Sequence, residues 1–339
     1  MERKSVYHLS PGVVEIKVEQ VPVPGPDQVL IQSHFSAISA GTEMLLYRGQ
    51  FPEGIDLDDN IPSLSGGVEY PLMYGYAQVG EVIQVGSRVD DEWIGKRVFA
   101  FNPHTSLFIT DINNLQIIPD EVSFEDALFF ANLETAVSFV MDSVPMIGER
   151  VVVFGQGIVG LLTTALLSDF PLEYLVTVDK YKLRRRASIE MGANKSMDAE
   201  EISANLQTDG GKFNLLHSAD LVFELSGFPS VLNQAIESTA YEGRILVGSW
   251  YGRKQGNIEL GGWFHRGRLR LISSQVSHIN SAYESRWDKK RRYNLTWDLL
   301  KRVKPSRLIS HKLLIDEAAQ AFHLLDKNPG DSIQVIFEY

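Results

Sequence analysis

The stretch Phe154-Gly155-Gln156-Gly157-Ile158-Val159-Gly160 fits the pattern G-x-G-x-x-G. It follows an apolar run, RVVVF, and opens a helical one, IVGLLTTALLSD; a second apolar run, EYLVTVD, then ends on Asp179. The acid comes about 20 positions after the last glycine, the spacing of a dinucleotide-binding fingerprint. Each residue has a physical task there. Gly155 permits a tight turn, Gly157 lets the backbone approach a pyrophosphate, and Gly160 lets helix and strand pack closely. The helix start, with Gln156, Ile158 and Val159 around the glycines, offers N–H groups and the positive end of the helix dipole to phosphate. Asp179 would accept hydrogen bonds from ribose hydroxyls, and its charge repels a 2′-phosphate, which favours NAD. Lys180, Lys182 and Arg184 to Arg186 follow closely. They either hold that phosphate, making NADP the cofactor, or form the solvated face of the next helix, which is the preferred reading.

Ser226-Gly227 after LVFEL and Gly248-Ser249 after RILV close two further apolar runs. Open α/β sheets bind ligands at the carboxyl ends of such strands, so both pairs are assigned cofactor contact. The elements that must position these residues alternate strand and helix from Arg150 onward, the pattern of a parallel sheet with helices on both faces. Residues 1–120 read differently, as short apolar runs separated by Gly and Pro, hence an irregular and largely antiparallel β domain. Between the two, SFEDALFFANLETAVSFV carries a Ser before an acidic first turn and apolar spacing near that of a helix, predicted over Ser123–Val140. Two more helical patterns, Arg292–Val303 and Asp316–Asp326, and a strand, SIQVIFEY, complete an α/β chain.

Length and composition set limits. A chain of 339 residues is better divided into two domains than one. Net charge is −11, which argues against a nucleic-acid partner, whose footprint would be basic. The absence of cysteine excludes disulfides and thiolate zinc sites. The longest uncharged run, Val151 to Ser168, has the length of a membrane helix, but the strand, glycine turn and helix above account for it. MERKSVYHLSPGVVEIKVEQ starts charged and has no apolar core, so the expectation is a soluble cytoplasmic protein with no membrane partner.

A β domain first, the fingerprint next and a C-terminal return resemble the medium-chain dehydrogenase/reductase family over nearly the whole chain. The segments PVPGPDQVLIQSHFSAIS, GTEMLLYRG, YGYAQVGEVIQVGS, GKRVFAF, IPDEVSFEDALFFANLETA and ISHKLLIDEAAQAFHLL carry the likeness. It implies a GroES-like domain from residues 1–131 and 288–339, a Rossmann doubly wound parallel sheet inserted at 132–287, and a homodimer. Within the family, SAGTE before LLYRG and SWYGRKQGNIELGGWFHRGRLRLISSQV look closer to bacteriochlorophyllide hydroxyethyl dehydrogenases and to uncharacterised zinc-less relatives.

The departures from the family pattern bear on the chemistry. Zinc members carry Cys before Gly-Ser/Thr-Asp, whereas this chain reads Ile38-Ser39-Ala40-Gly41-Thr42-Glu43. Their Gly-His-Glu is Gly75-Tyr76-Ala77 here, a further carboxylate position is Ala131, and no four-cysteine lobe interrupts GKRVFAFNPHTSLFI. No metal is therefore expected. The resemblance points Tyr76 into the cleft as a donor of a hydrogen bond or proton. Glu43 would orient Tyr76 or act as base, the alternatives being bonds to backbone amides or to Arg48. His104 is a relay to solvent or a plain surface-loop residue, and Thr135 is assigned cofactor contact. His265 to Arg292 holds eight Lys or Arg against two acids, suited to an anionic substrate group or to a solvated or subunit surface. The implied function is zinc-independent, NAD(P)-dependent hydride transfer between nicotinamide and a small alcohol or carbonyl substrate. Its rivals are an NADPH-dependent quinone or enoyl reductase and a non-catalytic NAD(P)-binding module.

Overall fold

The computed structural model describes residues 1–58, 60–199, 201–202 and 215–339. The chain divides into two compact units, Met1–Ala131 with Trp297–Tyr339, and Asn132–Thr296. The second division lies past the expected residue 288, inside the helix Lys289–Val303.

In the first unit a hairpin of Glu2–Ser10 and Val13–Gln20 accompanies a seven-stranded sheet. The sheet order is Ile309–Leu314, Gln334–Glu338, Gln28–Ala37, Gln78–Val85, Arg97–Ala100 and Leu115–Ile117, with Leu107–Asp111 also paired to Gln28–Ala37. Only the first two strands run parallel. Val29 and Ile31 alternate along their strand onto one face, where they meet Val82, Val98 and Phe108. Each such fully buried side chain contributes about 1.5–3 kcal/mol. A second core seats Ala318, Ala321, Phe322 and Leu325, one stripe of the helix Ala318–Lys327, against Val335 and Phe337. The Ala37 amide donates to the Ala77 carbonyl at 2.9 Å, which sets the turn after residue 37 beside Gly75-Tyr76-Ala77.

The second unit holds a six-stranded sheet in the order Lys195–Met197, Tyr174–Val178, Arg150–Phe154, Ala219–Glu224, Thr239–Val247 and Arg270–Ser273. Every pairing is parallel. Val151, Val152 and Val153 are fully buried, as a strand covered on both faces requires. The uncharged run resolves into this strand, a turn and the helix Ile158–Leu167, and among the described residues no helix is long and apolar enough to cross a membrane. The helix expected over Ser123–Val140 comes in two pieces, Phe124–Ala127 and Phe130–Ser143. Ser123 caps the first by accepting from the Asp126 amide at 3.0 Å.

A buried ion pair ties this unit together. Arg292 donates to Glu134 Oε1 at 2.5 Å, to Ser138 Oγ at 3.0 Å and to the Val276 carbonyl at 2.7 Å. The guanidinium thus pins the 276–278 loop to the helix Phe130–Ser143, and burial pushes the Glu134 carboxyl up despite that partner. Removing one member strands the other without compensation. Glu134→Ala is expected to cost about 3–5 kcal/mol, while Glu134→Met with Arg292→Met recovers most of it. Native-state hydrogen exchange of the Arg150–Phe154 strand amides measures both.

Candidate functional site

In the first unit the structure gathers Tyr76, Glu43 and His104. Glu43 opens the short helix Glu43–Tyr47 and its carboxylate turns back into the fold. Oε1 accepts from the Ser39 amide at 2.6 Å, and Oε2 lies 2.9 Å from His104 Nε2. Neither Glu43 nor His104 is exposed, so His104 is no surface-loop residue. Arg48 pairs with Asp326 at 2.7 Å rather than with Glu43. The remaining ring nitrogen, His104 Nδ1, is 2.7 Å from Ser36 Oγ. Gly75 makes this packing possible: its φ is +131°, and a Cβ there would lie 2.9 Å from His104 Nε2.

Tyr76 is half-buried. Its hydroxyl makes a short hydrogen bond with Ser39 Oγ and donates to Thr42 Oγ1 at 3.3 Å. Burial pushes that hydroxyl above its ordinary pKa; the Ser39 and Thr42 bonds pull it down, and the charges of Glu43 and Asp58 push it up again. The phenol is held in its protonated form at neutral pH. Sequence reading missed the hydroxyls of Ser36, Ser39 and Thr42. The signal present was a Ser-Ala-Gly-Thr run beside Glu43, but nothing in it shows which hydroxyl faces which partner.

These side chains do not fit a zinc centre. Glu43 and His104 spend their facing atoms on each other, and Ala40, Tyr76 and Ala77 stand at ligand positions of the zinc pattern. Among the described residues no group of three or more His, Cys, Asp or Glu is arranged to hold a metal.

The second unit presents the glycine turn. Gly155 has φ +89°, and a Cβ there would meet the Leu225 backbone at 2.5 Å. A Cβ on Gly160 would overlap the Gly155 carbonyl oxygen. Gly157, at the start of the helix Ile158–Leu167, faces open space apart from Arg184 Nη1 at 4.0 Å from such a Cβ, and no side chain caps the helix. An open helix start of this kind suits a phosphate. The Gln156 side chain turns inward. It is fully buried, donates to the Gly155 carbonyl at 3.1 Å and accepts from Thr164 Oγ1 at 3.1 Å, so it braces the turn. Ile158 is buried and Val159 packs against the core, leaving only their backbones for a ligand.

Asp179 closes the neighbouring strand, and its carboxylate accepts from the Gln156 and Tyr181 amides, each at 2.8 Å. The basic run after it splits. Arg185 donates to the Asp179 carbonyl at 2.9 Å and pairs with Asp198 at 2.5 Å, and Arg186 pairs with Glu190 on the exposed face. Lys180 and Lys254, by contrast, each place Nζ over the Phe228 ring, at 5.0 and 5.1 Å. Lys254 also donates to the Gly227 carbonyl at 2.9 Å, a residue the sequence did not flag. Ser226, Gly227 and Ser249 do converge. Buried Glu224 takes the Ser226 amide at 2.9 Å and the Tyr251 hydroxyl at 2.5 Å, and the Gly227 amide donates to Ser249 Oγ at 2.9 Å. Gly248 lies against the Phe139 ring. Thr135 sits half-buried on the helix Phe130–Ser143. Of the basic stretch 265–292, Arg292 is a core brace and not a surface cation.

No family model matches the chain. It is 26% identical to D-guloside 3-dehydrogenase of Escherichia coli K12 over 289 residues, 81% of each chain. Solved structures with the same fold include an alcohol dehydrogenase of Escherichia coli CFT073 complexed with NADH, at TM-score 0.78 and 18% identity, covering 100% of this chain and 99% of that one. A putative zinc-binding dehydrogenase of Sinorhizobium meliloti bound to NADP aligns at TM-score 0.77 and 20% identity over 100% of both chains. The architecture is a GroES-like β domain with a Rossmann doubly wound sheet, the fold of the alcohol dehydrogenases.

The glycines make separable demands. Gly160→Ala drives a methyl into the turn carbonyl and is expected to destabilise the protein by about 1–3 kcal/mol. Gly157→Ala meets nothing, so melting stays at the wild-type value while NADH binding weakens. Thermal unfolding and a nucleotide titration on the two variants check the contrast.

Proposed function

We propose that this protein is a zinc-independent, NAD(P)-dependent oxidoreductase interconverting an alcohol and a carbonyl compound. The observation that carries the reading is the Tyr76 hydroxyl, held by Ser39 and Thr42 beside the buried Glu43–His104 pair. The open glycine turn with Asp179 supports the nicotinamide part, and the dehydrogenases the chain resembles support the alcohol–carbonyl part. Ala40, Tyr76 and Ala77 support zinc independence, as in the zinc-less relatives the sequence resembles.

A bound nicotinamide supplies or accepts the hydride. The protein's own task is the proton. In reduction, Tyr76 gives its hydroxyl proton to the carbonyl oxygen, and the Ser39 and Thr42 hydroxyls turn to stabilise the phenolate left behind. In oxidation the same oxygen takes the alcohol proton. Asp179 favours NAD, because a carboxylate after this strand repels a 2′-phosphate; the Lys180–Phe228–Lys254 cluster is the observation that favours NADP.

EDTA-treated protein titrated in parallel with NADH and NADPH, followed by energy transfer from its tryptophans, should bind NADH more tightly. Tyr76→Phe should keep that affinity and lose about 10²–10⁴-fold in kcat for carbonyl reduction. Full turnover by Tyr76→Phe would favour the quinone or enoyl reductase, and nucleotide binding without hydride transfer to any carbonyl would favour a binding module.

A further inference from the structure

The stretch of chain that surrounds Tyr76 in the first unit is one-sided in charge. From Gly49 to Ser87 the sequence carries six acidic residues and no Lys, Arg or His. The stretch folds around an apolar cluster in which Leu57, Leu64 and Tyr74 are buried, and the Tyr76 ring packs against it beside Ile61 and Val68. The Tyr74 and Tyr76 rings meet edge to face, their centroids 6.3 Å apart. Asp58 is fixed next to this cluster. Its carboxylate accepts from the Asn60 amide at 2.7 Å and from the Ile61 amide at 3.0 Å. The Leu57 amide closes the loop on the Gly66 carbonyl at 2.8 Å. Glu43, on the other side of the Tyr76 hydroxyl, is answered by the Ser39 amide and His104 and, among the described residues, by no Lys or Arg.

From these surroundings we infer that the compound reacting at Tyr76 is uncharged, with no carboxylate or phosphate beside its carbonyl or hydroxyl group. The inference rests on the function proposed above and names its substrate class. Two physical effects act together. An anionic group brought to Tyr76 exchanges water for apolar surroundings that offer it no cation, and that exchange is costly. The same group enters the negative field of Glu43 and Asp58, the charges that, after burial, hold the proton on Tyr76. A cation gains from the field but loses its hydration to the same apolar cluster. A neutral carbonyl compound meets neither obstacle. The hydroxyls of Tyr76, Ser39 and Thr42 are neutral groups that each donate and accept, which suits one uncharged oxygen.

The cations that flank this stretch are engaged elsewhere. Arg48 pairs with Asp326 at 2.7 Å, and Arg88 pairs with Asp27 on the exposed surface. Arg97 donates to the Val122 carbonyl at 2.6 Å and lies over the Phe124 ring. The basic stretch 265–292 belongs to the second unit. It uses Arg292 on Glu134, Arg268 on Glu242 and Arg291 over the Trp287 ring.

The test needs no knowledge of the substrate. The chain has no cysteine, so one introduced thiol reports on this place alone. Full-length Tyr76→Cys is reacted with a neutral and an anionic methanethiosulfonate of similar size. Thr42→Cys takes its place should that variant fail to fold, since Thr42 Oγ1 lies 3.3 Å from the Tyr76 hydroxyl. The ratio of the two rates is compared with the ratio on a small free thiol; the thiolate fraction is common to both reagents and cancels. At low salt the anionic reagent should be disfavoured by about 10-fold or more, within the range that a local potential of one sign produces. Asp58→Asn on the same background should recover part of that loss. A ratio equal to that of the free thiol, or one that favours the anion, overturns the inference even if Tyr76→Phe is inactive and the proposed function stands. Full turnover by Tyr76→Phe beside a disfavoured anion removes the function and keeps the charge selection. A thiol that neither reagent reaches shows a closed surface and overturns both.

Discussion

A carboxylate and an imidazole that face each other without access to water set the terms for the first unit. Desolvating Glu43 and His104 is costly unless every polar atom is answered. The answers are specific: Ser39 amide to Oε1, His104 Nε2 to Oε2, Ser36 to Nδ1. Each fixes a different piece of backbone. The first locks the turn that carries Ser39 and Thr42, and the second needs a residue without a Cβ at position 75. The Ala37–Ala77 bond then lays the two turns side by side. Tyr76 reaches its hydroxyl partners because the pair beneath it leaves the backbone no other course.

The second unit obeys the same economy in another form. Side chains around the glycine turn hold that turn and the segment beside it. Gln156 is folded under its own glycine turn, and Ser249 and Glu224 hold the Ser226-Gly227 segment. Asp179 accepts two backbone amides and so fixes the distance between the phosphate turn and the following loop. What remains for a nucleotide is backbone N–H at a helix start and the outer edge of one carboxylate. A turn held this way is ordered by its own hydrogen bonds, the condition under which binding loses little ordering entropy.

Sequence reading reached the parts whose logic is local. The glycine spacing, the strand before it and the acid after it lie within one strand–helix–strand unit, and the parallel sheet follows from their alternation. It did not reach pairings across the sheet. Glu43 and His104 are 61 positions apart and Ser36 and His104 are 68, and only strand register brings them together. Side-chain direction was equally hidden. G-x-G-x-x-G says where Gln156 stands and nothing about which way it points. Arg292 looked like one cation in a basic run because charge patterning records composition, while its burial depends on the helix Phe130–Ser143 lying opposite. The helix predicted as continuous over Ser123–Val140 comes in two pieces, with Leu128 and Phe129 buried between them.

On the proposed reading, in which a phenol does the work a metal does elsewhere, the surroundings have a different task. A cation beside Tyr76 would lower its pKa and convert it to phenolate, useless as an acid. The neighbours present act otherwise: hydroxyls fix the direction of the O–H bond, while burial first, and the charges of Glu43 and Asp58 after it, keep the proton on. The same surroundings make the phenolate a strong base once the proton has gone, and burial slows its recovery from bulk water.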